Sequence, residues 1–430
     1  MPKQTNQAVV ELELARSIDK DEEGRYVELP FEMPERADAL HVSYRVESHD
    51  ANANAIIDLG VRDDRRLRGW SGGARSEFCI EPEQATPGYI AGALTPGDWA
   101  VVLGAYRVPE GGCTVHATVR FELCTPRWLR GDLHTHSVHS DGTFTLEENA
   151  AAIKALGCDF IAMTDHNAIS QNSTFPRNSG VIMIPGMEFT TNFGHSNFLG
   201  VDDPLDDFRV VSQADVDHRI AAARTRGAKI VLNHPHCEYC PWLWDFAADY
   251  DWVEIWNGPW TDRNARALSW WQEQLAAGRR LVAVGGSDTH RPHPFVKHAY
   301  PCTWVLSDTR TAAGVLDGIG RGHTFTTFAP DGPFVELRCG DAIMGDTVPV
   351  GAASPELVTV HAEHLLPGDE LRVISEQGQE RSWIAGEDTL DISVARDGRH
   401  FVRVEVWRRF EQVQNTLLAA VTNPIYFDRP

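Results

Sequence analysis

Eleven of the 18 histidines fall between His134 and His298, and most stand in short strings with acids beside them. The longest string is Gly131-Asp-Leu-His-Thr-His-Ser-Val-His-Ser-Asp-Gly142. On a strand, His134 and His136 point to one side and can hold one metal ion, and Asp141 follows in a loop able to curl back over it. Taken alone, an H-x-H pair also fits an exposed polar strand. The Ser-Asp-Gly and capped helix that follow favour chemistry. Thr164-Asp-His-Asn167 offers His166 as an imidazole ligand, with an adjacent carboxylate to orient a ring. Glu188, in Gly186-Met-Glu-Phe-Thr190, would need a cation or a proton if buried, and bridging two metals would use both of its oxygens. On an exposed loop it would be an ordinary surface acid. His195 in Gly194-His-Ser-Asn197, His234 in Asn233-His-Pro-His236, and Asp288 with His290 in Gly285-Gly-Ser-Asp-Thr-His-Arg291 repeat the pattern. The glycines of the last string allow close backbone approach.

The elements that must position these residues read as strand and helix in alternation. Thr145-Leu-Glu-Glu148 is a capping box opening a helix over Leu146–Leu156, which Gly157 ends. Apolar strands are expected at Phe160–Met163, 181–184, 229–233, 252–256 and 281–285, with helices near 212–226 and 262–277. Asp132-Leu-His134 leads to His136, and the later strands lead to His166, Glu188, His234 and Asp288 with His290, as residues at the C-terminal ends of parallel β/α strands do. Residues 1–128 are β-rich, with alternation in His41–Val46, Trp99–Leu103 and Thr114–Phe121 between Gly/Pro turns. Residues 331–430 look similar, with strands at Glu356–Val360, Glu370–Ile374 and His400–Trp407. The expected fold is α/β: a distorted parallel β/α barrel over 129–330, flanked by N- and C-terminal β-sandwich-like domains.

Composition narrows the function classes. Lys and Arg number 39 against 61 Asp and Glu, a formal charge of -22, which opposes nucleic acid as a partner. Metal ions in one pocket would reverse the local field, so a small anionic substrate is compatible. No apolar run reaches the length of a membrane span and the N-terminus has no apolar signal region. Eight scattered cysteines fit reduced thiols, and the expected location is the cytoplasm.

The H-x-H, Thr-Asp-His, Glu188, His195, Asn-His-Pro and Ser-Asp-Thr-His strings, in this order, resemble the PHP (polymerase and histidinol phosphatase) superfamily over about 129–330. The flanking β regions, Trp128–His134 and Asn423-Pro-Ile-Tyr426 resemble its carbaryl-hydrolase-like branch. The resemblance implies three divalent ions (Zn, Mn or Fe) per chain. His134 and His136 would bind the first with Glu188 and Asp288. Glu188 would bridge to a second held by His195 and His234, and Asp141, His166 and His290 would bind a third.

The implied activity is hydrolysis by a metal-bound hydroxide, first of all on a small phosphorylated substrate. A carboxylic ester or carbamate is the alternative, and a non-catalytic binding protein is a third reading. Arg291 is a candidate to stabilise charge developing on oxygen, and His236 to protonate the leaving group. His139 and His293 are unassigned polar neighbours. Cys237-Glu-Tyr-Cys240 has zinc-like spacing without a second pair and reads as pocket wall or packing. Seven of the 13 tryptophans lie between Trp242 and Trp271. Trp270 and Trp271 fit helix packing, whereas Trp242 and Trp244 would suit an aromatic or apolar group on the substrate.

Overall fold

The computed structural model describes residues 8–349, 351, 355–396 and 398–428. They form two compact units. The first runs to Pro126 and takes in Arg177–Gly180 and Asp308–Thr311; the second holds the remainder.

In the first unit two four-stranded antiparallel sheets share one core. One sheet orders Ala8–Ile18, Cys113–Leu123, Ala37–Ser48 and Glu77–Ile80; the other orders Tyr26–Met33, Gly97–Arg107, Ile56–Arg62 and Leu67–Gly72. Alternation does the sorting. In Tyr26–Met33 every second residue, Val27, Leu29, Phe31 and Met33, joins the core cluster and the residues between face out. This is the sandwich expected from the sequence.

The second unit is built on a 15-stranded mixed sheet. Arg127–Thr135, Phe160–Met163 and Ile182–Thr191 pair in parallel, as do Lys229–Leu232, Trp252–Asn257 and Val282–Gly286. Between these parallel runs lies a correction to the expected parallel barrel. Gly194–Leu199 is a strand, antiparallel to both of its neighbours. Its two-residue connection to Ile182–Thr191 can only make a hairpin, because a parallel pairing needs a crossover of about a dozen residues. The barrel is also not closed by a ladder. Among the described residues, Val282–Gly286 ends the sheet, and one isolated parallel bridge, Thr135 to Thr289, reaches back toward the first strand.

The other edge continues into the C-terminal residues. Arg127–Thr135 pairs antiparallel with Cys302–Ser307, followed by Thr324–Thr327, Asn415–Thr422, Phe401–Phe410, Glu370–Ser375 and Gly378–Ile384. A second sheet, Ala342–Ile343, Phe334–Cys339, Leu357–Glu363 and Leu390–Ala395, shares its core with these strands. The C-terminal strands are thus layered, yet they belong to the same compact unit as the histidine-rich sheet. Asn423 shows why: its side-chain oxygen accepts from the Ala283 amide, and its side-chain nitrogen donates to the carbonyls of Ala283 and Thr324.

Four α-helices are present among the described residues, and two begin with capping boxes at Thr145/Glu148 and Ser212/Asp215. Helix Asp262–Ala276 buries Ala267, Leu268, Trp271 and Leu275 on one face. No described helix is long and apolar enough to cross a membrane, and all eight cysteines are free thiols.

Trp242 is 3% exposed and belongs to the core, so it is not the substrate contact expected of it. It lies so close to Gly194 that a Cβ there would stand 2.8 Å from the Trp242 backbone and ring. The indole therefore props the hairpin that carries His195. Trp242→Ala is expected to cost about 3–5 kcal/mol of stability, with metal affinity at His195 falling alongside. Chemical denaturation checks this; wild-type stability with altered substrate preference would restore the pocket role.

Candidate metal centre

The hairpin decides the heart of the site. Thr190 stands opposite His195 and Glu188 opposite Asn197, so Glu188 and His195 project from one face of the paired strands. Glu188 lies inside the longer strand, fully buried, instead of on a loop. Five imidazoles surround it. Oε1 is 3.3 Å from His134 Nε2, 3.2 Å from His195 Nδ1 and 3.4 Å from His234 Nε2. Oε2 is 2.8 Å from His166 Nδ1 and 3.5 Å from His136 Nε2. Asn233 adds a hydrogen bond from its side-chain nitrogen to Oε1 at 2.8 Å.

All nine residues singled out as ligands are brought together. Their donor atoms fall into overlapping groups: His134, His136 and Asp288; His166, Glu188 and His195; His136, Asp141, His166 and His290. His134 with His234 and Glu254, and His195 with His234 and Cys240, complete a connected ring of groups. Asp288 Oδ1 lies 3.4 Å from His134 Nε2 and 3.1 Å from His136 Nε2. Asp141 is exposed and reaches His290 Nε2 at 3.4 Å and His166 Nε2 at 3.7 Å. His234 and Asp288 both adopt left-handed backbone conformations, φ 26° and 56°. Non-glycine residues pay of order 1 kcal/mol or more for that region, and such strain collects at functional sites.

Three supporting acids surround the ligands. Glu254 was missed by the sequence reading. Its Oε1 lies 3.0 Å from His134 Nδ1, and its Oε2 accepts from the His234 amide and from the Asn257 side chain. A lone charge in the otherwise apolar Trp252-Val-Glu-Ile-Trp256 was the available signal. Asp132 accepts the backbone amides of His134, Ser287 and Ala299, stapling the H-x-H strand to the loop that carries Asp288. Burial raises its carboxyl to about 6 against the pull of those donors. Asp165 accepts from Ser137 N, Ser137 Oγ and Ser140 Oγ, so it holds the loop after the H-x-H pair. Gly286 permits the packing: a Cβ there would meet His134 Cβ at 2.4 Å and Glu254 Oε1 at 2.7 Å.

Electrostatically the cluster asks for cations. An unpaired buried charge costs several kcal/mol. Burial works to raise Glu188, but His134, His166 and His195 outweigh it and hold the carboxyl well below its ordinary range. Burial would lower His134, yet Asp288, Glu254 and Glu188 hold it well above 6.5. His134 Nε2 and His136 Nε2 are buried without a hydrogen-bond partner although carboxylate oxygens face both. Donors spaced in this way suit a shared ion, since ligands at roughly 2.0–2.2 Å from one metal stand about 3 Å apart. The donor set, imidazole and carboxylate, fits a divalent transition metal.

Of the two residues expected to act directly on substrate, His236 lies apart from these groups and Arg291 borders one of them. His236 is half-buried; its ring stacks on Phe246 at 5.8 Å and meets Trp270 at 6.2 Å, with Nε2 unpartnered. Burial, helped by Arg266, lowers its pKa. Arg291 is exposed, and its guanidinium donates to the Asp141 carbonyl at 3.3 Å, at the rim of the His136–Asp141–His166–His290 group. His139 Nδ1 bonds Ser170 Oγ, and His293 Nδ1 accepts the amides of Phe295 and Val296. Trp244 donates to Thr191 Oγ1 and meets Phe193 edge-on.

No family model matches the chain, and no curated protein matches it. Among solved structures it is similar to a two-domain protein from Bacteroides vulgatus containing a predicted PHP-like metal-dependent phosphoesterase. The two are 17% identical, with 69% of this chain and 95% of that one covered and a TM-score of 0.42. It is also similar to an amidohydrolase from Chromobacterium violaceum with bound sulfate and no metal: 16% identity, 39% and 89% covered, TM-score 0.28. Values this low transfer nothing to this chain.

Two outcomes follow from the geometry. In Glu254→Gln the new amide must turn its NH2 toward either His134 Nδ1 or the His234 amide, two positions now facing carboxylate oxygens. Metal affinity should fall about 10- to 100-fold, with the fold retained; unchanged affinity by competition with a chelator would make Glu254 a packing residue.

The second outcome concerns pH. In metal-free protein Glu188 adds stability above about pH 4.5, lost as pH falls through its depressed folded value. His134 adds stability below about pH 6.5, lost as pH rises through its raised folded value. Metal replaces the His134 proton. Thermal unfolding at rising alkaline pH should therefore destabilise only the chelated protein, and metal addition at pH 7 should release protons. Equal pH profiles with and without metal would contradict this.

Proposed function

We propose that this chain is a metal-dependent phosphoesterase of the PHP type that acts on a small phosphorylated substrate carrying an apolar portion. The observation that carries the reading is the gathering of nine His, Asp and Glu side chains from separate strands and loops, with the buried Glu188 carboxylate at their centre facing five imidazoles. A structural site for one ion needs about four ligands; this set is sized for more than one, and three is the number proposed. Divalent ions held there supply Lewis acidity and make bound water a nucleophile near neutral pH.

The chain's own residues do the rest. Glu188, His134 and Asp288 fix the donors in a buried, strand-anchored frame, with Glu254 and Asp132 holding them from behind. Arg291, at the rim beside Asp141, is placed to bind a phosphoryl oxygen as a charged donor. His236, lowered by burial and packed on Phe246 and Trp270, has no part in this scheme.

The apolar portion has a candidate seat. A pocket of about 150 Å³ is lined by Trp256, Trp260, Phe295, Tyr300 and Phe328. Its wall includes Gly258, and between Trp256 and Gly258 the Asn257 side chain donates to Asp288 Oδ2 at 3.3 Å. This stretch of strand borders the pocket through Trp256 and reaches Asp288 through the Asn257 side chain, on the opposite face. A space this size takes a ring and little more, so an aryl or short branched alkyl group is the proposed occupant.

The test is a panel of aryl phosphate, small polyol phosphate and aryl carbamate, each assayed after chelation and after metal is returned. Aryl phosphate should be turned over best, only with metal. Arg291→Ala should raise KM for phosphates about tenfold with a smaller change in kcat, and Trp260→Ala should erase the preference for aryl over polyol phosphate. Turnover of the carbamate alone would replace this reading with the ester and carbamate one. Metal binding without turnover of any substrate would favour a binding protein.

A further inference from the structure

The turn after His234 brings a sulfur to a ligand set that the sequence composes of nitrogen and oxygen alone. Cys237-Glu-Tyr-Cys240 follows Asn233-His-Pro-His236 directly. Backbone hydrogen bonds close the turn. The Cys237 amide donates to the His234 carbonyl at 2.9 Å, the Trp242 amide to the Pro235 carbonyl at 3.0 Å, and the Leu243 amide to the Phe193 carbonyl at 2.8 Å. Tyr239 at the tip is 93% exposed, while Cys237 is buried and Cys240 half-buried. The turn therefore folds its second thiol back toward the metal centre.

That thiol lands among ligands. Cys240 Sγ stands 3.7 Å from His234 Nδ1, and donor atoms of His195, His234 and Cys240 all lie within 4.8 Å of one another. Glu188 Oε1 faces the other nitrogen of His234, Nε2, at 3.4 Å, so an ion bound at Nδ1 beside the sulfur is distinct from one at Glu188. Zinc-class ions bind thiolate at roughly 2.3 Å and imidazole at roughly 2.0–2.1 Å, so ligands sharing one ion sit about 3.5 Å apart. Closing this group takes side-chain shifts on the order of 1 Å. A cation stands by the thiol pair as well. Cys240 Sγ is 3.4 Å from Cys237 Sγ, and Arg263 Nη1 is 3.8 Å from Cys237 Sγ.

We infer that Cys240 is a metal ligand, sharing with His195 and His234 a mixed sulfur and nitrogen site for one ion. The inference rests on the metal centre proposed above and goes beyond it in ligand and in metal preference. The thiol proton leaves to solvent as the sulfur binds, and no oxidant or reductant is involved. A thiolate makes this position softer than its neighbours, so it selects zinc, iron or cobalt over magnesium or manganese. The competing role for Cys240 is to orient the ring by a weak contact to His234 Nδ1 while His234 binds through Nε2. The nearness of the sulfur to His195 as well as His234 favours ligation, since an orienting partner needs only one ring.

Cobalt(II) reads out the difference without any assay of activity. The full chain is stripped with a chelator, reloaded with cobalt and followed by absorption. Wild type should show a near-ultraviolet sulfur-to-cobalt charge-transfer band together with the weaker visible bands of bound cobalt. Cys240→Ser should lose the near-ultraviolet band while keeping visible bands from the remaining sites, and Cys237→Ser should keep both. Zinc competition should show one ion in Cys240→Ser weakened about 10-fold or more. Visible bands in wild type without a charge-transfer band would overturn the proposal and leave Cys240 as an orienting group. A charge-transfer band that disappears in Cys237→Ser and survives in Cys240→Ser would also overturn it, by moving the ligand. Absence of bound cobalt altogether would overturn the metal centre itself. The wild-type spectrum decides even if Cys240→Ser fails to fold.

Discussion

A carboxylate with no solvent-exposed surface must be met by positive charge, and in this protein Glu188 meets five imidazoles within 3.5 Å. Everything near it follows from that requirement. Protons on the histidines can supply the charge, and divalent ions bound there would replace some of those protons. The cost of leaving such a group unpaired, several kcal/mol, is comparable to the whole stability of an ordinary domain. The cluster is therefore a folding constraint whatever chemistry it serves.

Holding five rings on one carboxylate needs a frame that does not give. The frame is a sheet whose strands end at the site, with an antiparallel hairpin inserted among the parallel pairs. The hairpin puts Glu188 and His195 on one face in neighbouring strands, which a loop could not do with the same precision. Behind the ligand candidates a layer of backbone hydrogen bonds, through Asp132 and Glu254, ties three chain segments together. The left-handed turns at His234 and Asp288 concentrate strain where strands give way to ligands. The rest of the sheet holds these positions because its core is continuous with the C-terminal strands.

That continuity changes how the flanking residues are understood. The strands from Thr324 onward extend the same sheet, and Arg403, buried beside Glu405 and Gln272, sits over Trp271 of the helix Asp262–Ala276. Asn423 fastens the C-terminal segment to the strand that ends at Gly286. The chain after the histidine-rich region is thus structural support for it. The first unit, by contrast, has a complete core of its own.

Much of this was legible in the residues. The capped helix after Thr145, the apolar strands and the nine ligand candidates could be read from local spacing, because capping, alternation and H-x-H geometry involve neighbours only a few residues apart. The pairing direction at Gly194–Leu199, the open sheet and the joining of the C-terminal strands to it were not legible, because each is a matter of which distant segments lie side by side. Glu254 and Cys240 belong to the same class. One stood alone in an apolar strand, and the other lay in a C-x-x-C turn that, without a second pair, read as packing. The amino-acid sequence by itself determined which side chains could bind metal and which faces would be buried. Only the tertiary structure decided which of them meet, because contact between His134, Glu188, Glu254 and Asp288 depends on strand register across more than a hundred residues of intervening chain.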